Sequence, residues 1–100
     1  NLELVSNGVT LRHTGSNRLE TTATGVSVSG GLTVSNGIEM TAGNFNAGDG
    51  EKIRLGNGAD LQIYHDSANS YIAESGTGVL FVTTNSFRLQ NSLANENMIY

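Results

Sequence analysis

An all-β array of short strands without helix is what this sequence predicts, on three observations. Apolar and polar residues alternate with period two along most of the chain. Asn-Gly and Gly-Gly pairs interrupt that alternation every few residues. Gly, Asn, Ser and Thr supply 45 of the 100 residues, with no proline, a mixture rich in turn formers and poor in helix formers. No window of eleven or more residues keeps a 3.6-residue period.

The elements follow in order. Val9-Thr10-Leu11-Arg12-His13, Val26-Ser27-Val28-Ser29 and Leu32-Thr33-Val34 each place small apolar residues on one face and polar residues on the other. Ile38-Glu39-Met40, Ile53-Arg54-Leu55, Leu61-Gln62-Ile63 and Phe87-Arg88-Leu89 repeat the pattern. Each reads as a strand of roughly three to five residues with one wet face. Turns are expected at Asn7-Gly8, Gly30-Gly31, Asn36-Gly37, Gly48-Asp49-Gly50, Asn57-Gly58 and Gly76-Thr77-Gly78, where the positive φ of a tight hairpin is cheapest.

Composition limits both class and partners. Net charge is −4, and β-branched and aromatic residues recur in ordered positions, which is not a disorder signature. Apolar residues make up 37%, a thin supply for a self-sufficient core, and the absence of cysteine excludes disulfides as the remedy. Oligomerisation is the expected substitute. Five scattered Lys and Arg residues form no phosphate-binding track, so nucleic acid is not an expected partner. No apolar run approaches a membrane span, so no membrane insertion is expected, and none of the twelve asparagines lies in an Asn-x-Ser/Thr sequon. Lack of cysteine fits folding in a reducing cytosol. Starting at Asn1 and stopping after Met98-Ile99-Tyr100, the chain reads as a segment of a longer fibrous protein.

An internal repeat organises the strands. Leu11-Arg12-His13-Thr14-Gly15-Ser16-Asn17 lies 52 residues before Ile63-Tyr64-His65-Asp66-Ser67-Ala68-Asn69. Leu19 and Thr24-Gly25-Val26 lie 53 before Ile72 and Thr77-Gly78-Val79. Two modules are expected, residues 1–52 and 53–100, a period typical of arrays.

Leu61-Gln62-Ile63-Tyr64-His65-Asp66, Asn69-Ser70-Tyr71-Ile72 and Ser75-Gly76-Thr77-Gly78 resemble the repeat of tail-fibre and other virion structural proteins of bacteriophages, marine ones especially. Asn17-Arg18-Leu19-Glu20-Thr21-Thr22-Ala23-Thr24-Gly25-Val26-Ser27-Val28 resembles the companion segment of that repeat. The resemblance covers most of residues 9–90, with 35–60 outside it. It implies an intertwined, parallel homotrimer, a β-prism or triple β-helix stalk, partnered by itself and by other tail proteins. It also implies a place in the virion tail fibre after assembly in the host cytoplasm, and contact of the fibre with a host surface glycan. The physics of the strands agrees: three chains round one axis would pair exposed edges and pool three thin apolar faces.

Candidate sites are few. His13 and His65 keep the phase of the apolar face, and threefold symmetry would bring three imidazoles to one level as an axial metal site. A strand-end histidine bonded to a nearby hydroxyl is the plainer reading, and no cofactor is expected. Repeat equivalence predicts that the two rings share one orientation relative to the apolar face. Asp49, Glu51, Asp60 and Asp66 lack the spacing of a calcium β-roll and read as turn residues. Glu20 with Glu74, or Asp66 with Glu74, would need carboxylates ~5–10 Å apart in a cleft to act as a glycosidase pair. No Gly-x-Ser-x-Gly elbow accompanies the serines, and no regular Thr-x-Thr ladder suggests an ice-binding face. Tyr64, Tyr71, Phe81 and Phe87 suit either sugar stacking or a β core. The expected function is therefore a non-enzymatic stalk segment presenting a receptor-binding tip. A carbohydrate-binding module of a fibre tip or bacterial surface adhesin stands second, and a glycan hydrolase last.

Overall fold

The computed structural model describes residues 2–6 and 8–98. Among them the chain is all-β and helix-free, with seven short strands in two antiparallel sheets. The chain divides into two compact units, Asn1–Asn44 and Phe45–Tyr100.

The first unit is a four-stranded meander: β1 (Leu2–Val5), β2 (Gly8–His13), β3 (Ser16–Thr22) and β4 (Gly25–Val28), in that spatial order. The ladder aligns Leu2 with Leu11, Leu4 with Val9, Leu11 with Leu19 and Leu19 with Val28. Because side chains alternate across a strand, those residues and Val26 form one apolar face. Glu3, Thr10, Arg12, Glu20 and Ser27 form the other. Between Leu11 and Arg12 the register slips, since Leu11 pairs with Leu19 but Arg12 with Asn17, leaving Arg18 as a bulge. The bulge moves Asn17 off the apolar face to sit beside Arg12. There Arg12 Nε donates to Asn17 Oδ1 at 2.8 Å, and Asn17 Nδ2 donates to Glu20 Oε2 at 2.9 Å. Arg12 Nη2 also meets Glu3 Oε2 at 2.8 Å. Thr10 lies beneath this chain of side chains, 8% exposed.

The second unit is a three-stranded meander of β5 (Lys52–Leu55), β6 (Leu61–His65) and β7 (Ser70–Glu74). It repeats the first strand for strand. Ile53↔Ile63 and Leu55↔Leu61 echo Leu2↔Leu11 and Leu4↔Val9, and Ile63↔Ile72 echoes Leu11↔Leu19. Ile53, Leu55, Leu61, Ile63 and Ile72 share the apolar face. Lys52, Arg54, Gln62, Tyr64, Tyr71 and Ala73 share the other. Glycines hold the approach to β6: Gly56 has φ 92°, and a Cβ there would meet Asp60 Oδ2 at 2.9 Å.

Three expected strands do not form. Leu32–Val34, Ile38–Met40 and Phe87–Leu89 are not strands in the chain, although they alternate as well as Ile53–Leu55 does. A strand needs a partner backbone: among the described residues none pairs with Leu32–Val34 or Ile38–Met40, and Phe87–Leu89 meets one only at its end, where Met98 N donates to Leu89 O at 2.7 Å. The turns expected at Thr24-Gly25 and Thr77-Gly78 also differ, since Gly25 has φ 158° and opens β4, whereas Gly78 keeps a negative φ and opens no strand. The repeat thus holds over the first three strands of each unit and lapses at the fourth. The turn expected at Asn7-Gly8 includes a residue outside the described ones.

No apolar side chain is buried among the described residues. The chain exposes 8958 Å². Two compact globules of half its 10.5 kDa mass would together expose only about 6,500 Å².

The β2–β3 turn carries a testable strain. Thr14 and Gly15 have φ 49° and 83°, the two left-handed residues of a type I′ hairpin. Glycine suits its position, but a β-branched threonine does not suit the first. Asparagine tolerates that conformation, so Thr14→Asn is expected to stabilise the chain by about 1 kcal/mol in a denaturant melt, despite losing the 2.8 Å bond from Thr14 Oγ1 to His13 O. A melt unchanged or lowered by the substitution would contradict the turn assignment.

Candidate functional site

The densest polar cluster of the second unit sits where β6 turns into β7. His65 pairs with Ser70, and the four residues between them close when Asp66 N donates to Asn69 O at 3.0 Å. Asp66 Oδ1 accepts from the amides of Ala68 at 3.0 Å and Asn69 at 2.7 Å. Its Oδ2 accepts from the Tyr71 hydroxyl at 3.0 Å. These bonds stabilise the carboxylate, so the Asn69 and Ala68 amides first, and Tyr71 after them, hold Asp66 below its ordinary pKa of 3.8. The same carboxylate pushes the Tyr71 phenol above its ordinary 10.0.

Two further contacts brace the loop. Tyr64 and Tyr71 are directly opposed across β6 and β7, and their rings stack with centroids 4.7 Å apart and planes 17° apart. Lys52, the cross-strand neighbour of Tyr64 on the other side, places Nζ 4.2 Å from the ring centroid and donates to Gln62 Oε1 at 2.9 Å. Both faces of the Tyr64 ring are therefore in use. On the opposite face of the sheet, His65 Nδ1 and Ser70 Oγ are 2.9 Å apart. An open groove of about 430 Å³ runs along this end, lined by Ile63, Tyr64, His65, Ser70, Tyr71 and Ile72.

The hydrogen bonds of this arrangement order a loop. Ser70 and His65 have the spacing of a nucleophile and its base, but both Asp66 oxygens are engaged by loop amides and Tyr71 rather than by the imidazole. Asp66 lies in the loop before β7, bonded to Tyr71, whereas Glu74 ends that strand. Glu74 Oε1 instead accepts from Gly76 N at 2.7 Å. Glu20 and Glu74 fall in different units.

His13 occupies the position on β2 that His65 occupies on β6, each at a strand end and in phase with the apolar face. Both are exposed, and His13, opposite Ser16, lacks the hydroxyl bond that His65 makes. Among the described residues no three His, Asp or Glu side chains of one chain converge as a metal site. Asp60 backs the glycines at 56, 58 and 76, and Asp49 and Glu51 flank a turn in which Glu51 N donates to Gly48 O at 3.1 Å. Phe81 and Phe87 are exposed and lie outside both sheets. Among the described residues no helix is long and apolar enough to cross a membrane.

Sequence reasoning missed the Asp66 staple, reading that residue only as part of a turn. Its signal was present, since Asp-x-x-Asn closing a hairpin places a carboxylate below two amides. Asp66, Asn69 and Tyr71, which stand out in the sequence string Leu61–Ile72, are members of this staple. No protein-family model, curated protein or solved structure matches the chain.

The staple is open to a direct check. By linkage, a lowered carboxylate pKa contributes loop order above the ordinary value, and that order is lost as pH falls through the folded value. The Asp66 carboxyl carbon should therefore titrate below 3.8 by NMR, and Tyr71→Phe should move its midpoint upward by removing one donor. A midpoint at the ordinary value in both proteins would contradict the staple.

Proposed function

We propose that this chain is a structural segment of a phage-type tail fibre. In this reading three parallel copies form a β-stalk that presents a host-receptor-binding tip, and the segment itself performs no chemistry. One observation carries the proposal: each meander lines its apolar residues along one face, and among the described residues not one apolar side chain is buried. A sheet with an uncovered apolar face is not independently stable in water, because burial of about 25 cal/mol per Å² is its main source of stability. Further copies of the same chain supply that cover at no cost in new sequence, and three copies round an axis let the faces of each level meet. The strand-for-strand repetition of β1–β3 by β5–β7 supports it, since a stalk extends by repeating one module. The motif resemblance supplies the virion, the other tail proteins and the tip.

The engaged Tyr64 ring and the openness of the groove at the β6–β7 turn favour the stalk over a sugar-binding module. Multi-angle light scattering on the 100-residue chain tests it. The expected mass is three times 10.5 kDa. Ile63→Asp, which puts a charge in the middle of one apolar face, should shift the population toward monomer at micromolar concentration. A folded monomeric wild type would overturn the reading.

A further inference from the structure

The two meanders account for only part of the chain. Residues 30–47 make no hydrogen bond, by backbone or side chain, among the described residues, and the same is true of residues 77–83. Both tracts hold strand-like segments. Leu32-Thr33-Val34 and Ile38-Glu39-Met40 alternate as strands do, and Val79-Leu80-Phe81-Val82 is an apolar run of the kind buried on both faces of a sheet. Their side chains are nonetheless in water, Phe81 being 82% exposed and Ile38 76%. Among the described residues, half of the exposed large apolar side chains lie between residues 30 and 47 or 77 and 89.

We infer that the tracts 30–43 and 77–83 are strands whose hydrogen-bonding partner is the backbone of a second copy of this chain. This rests on the stalk reading and extends it by assigning the strand pairing between copies. Surface area sets the scale of the occupant. The chain exposes 8958 Å², about 2,400 Å² more than two compact globules of its total mass. That excess is roughly three times the ~800 Å² that one partner contributes to a stable interface of standard size. The meander faces alone leave the tracts bare, whereas pairing the tracts closes their backbone edges and covers their side chains together. Each tract directly follows a meander, β4 in the first unit and β7 in the second. Extended apolar backbone without a partner is otherwise a template for aggregation.

Hydrogen exchange and two proline variants decide the matter. In the assembled wild type, amides of 31–34 and 79–82 should be protected about as strongly as those of β6, and should lose protection when dilution dissociates the assembly. Thr33→Pro and Thr83→Pro each delete one tract N–H while keeping every apolar side chain, and neither residue hydrogen-bonds within its own chain. Each should therefore leave the meanders intact yet raise the dissociation constant of the assembly roughly tenfold or more, while Thr33→Ala and Thr83→Ala, which keep the N–H, should not. If the wild type is trimeric but the tract amides exchange freely and the proline variants assemble like wild type, the inference is overturned and the stalk stands. A folded monomeric wild type would overturn both.

Discussion

The structure depends on the uncovered apolar face of each sheet. In both meanders antiparallel pairing places a row of aliphatic residues on one side, Leu2, Leu4, Val9, Leu11, Leu19, Val26 and Val28 in one unit and Ile53, Leu55, Leu61, Ile63 and Ile72 in the other. A sheet of three or four strands has no second layer of its own to pack against that side. Exposed leucines scattered singly are ordinary on protein surfaces, but rows of them in register are not. Everything else in the chain either keeps that face continuous or protects the opposite one.

The polar faces show how far one chain stabilises itself. In the first unit the bulge at Arg18 keeps Asn17 off the leucines and lets Arg12 span from Glu3 to Asn17. Such exposed pairs contribute roughly 0–1 kcal/mol each. Their role is to fix register, because slipping a strand by one residue would carry Arg12 or Glu20 onto the apolar side. In the second unit Lys52, Tyr64 and Tyr71 do the same work by stacking across three strands, and Asp66 ties the end of that row to the loop. The two units thus share a ladder and differ in the chemistry that locks it. That difference explains why the sequence repeat is clear at Leu11 and Ile63 but weak at Arg12 and Tyr64.

Much of the candidate site could be read from residue order, though not its purpose. His65, Asp66, Asn69, Ser70 and Tyr71 stand out as a motif because hairpin closure is local and needs residues at fixed offsets. What those residues do followed only from geometry. The carboxylate faces inward to the loop amides and the phenol rather than outward to a ligand, so the conspicuous string is a staple. His13 illustrates the converse. It aligns with His65 by sequence, yet the two-residue Thr14-Gly15 turn brings Ser16 opposite it without the bond that the longer loop allows Ser70 to make.

By itself the sequence determined the class, the faces and the repeat: helix-free short strands, apolar residues in phase along each, and two modules offset by 52 to 53 residues. These are consequences of local stereochemistry, since alternation across a strand and positive φ at glycine act over a few residues. Which alternating tracts become strands was decided only by the tertiary structure. Ile53–Leu55 and Ile38–Met40 carry the same pattern, but Ile53–Leu55 lies beside β6 and Ile38–Met40 has no backbone alongside it. A helix satisfies its hydrogen bonds within its own segment, whereas a strand must find them on another, and alternation within one segment does not specify where that other segment lies.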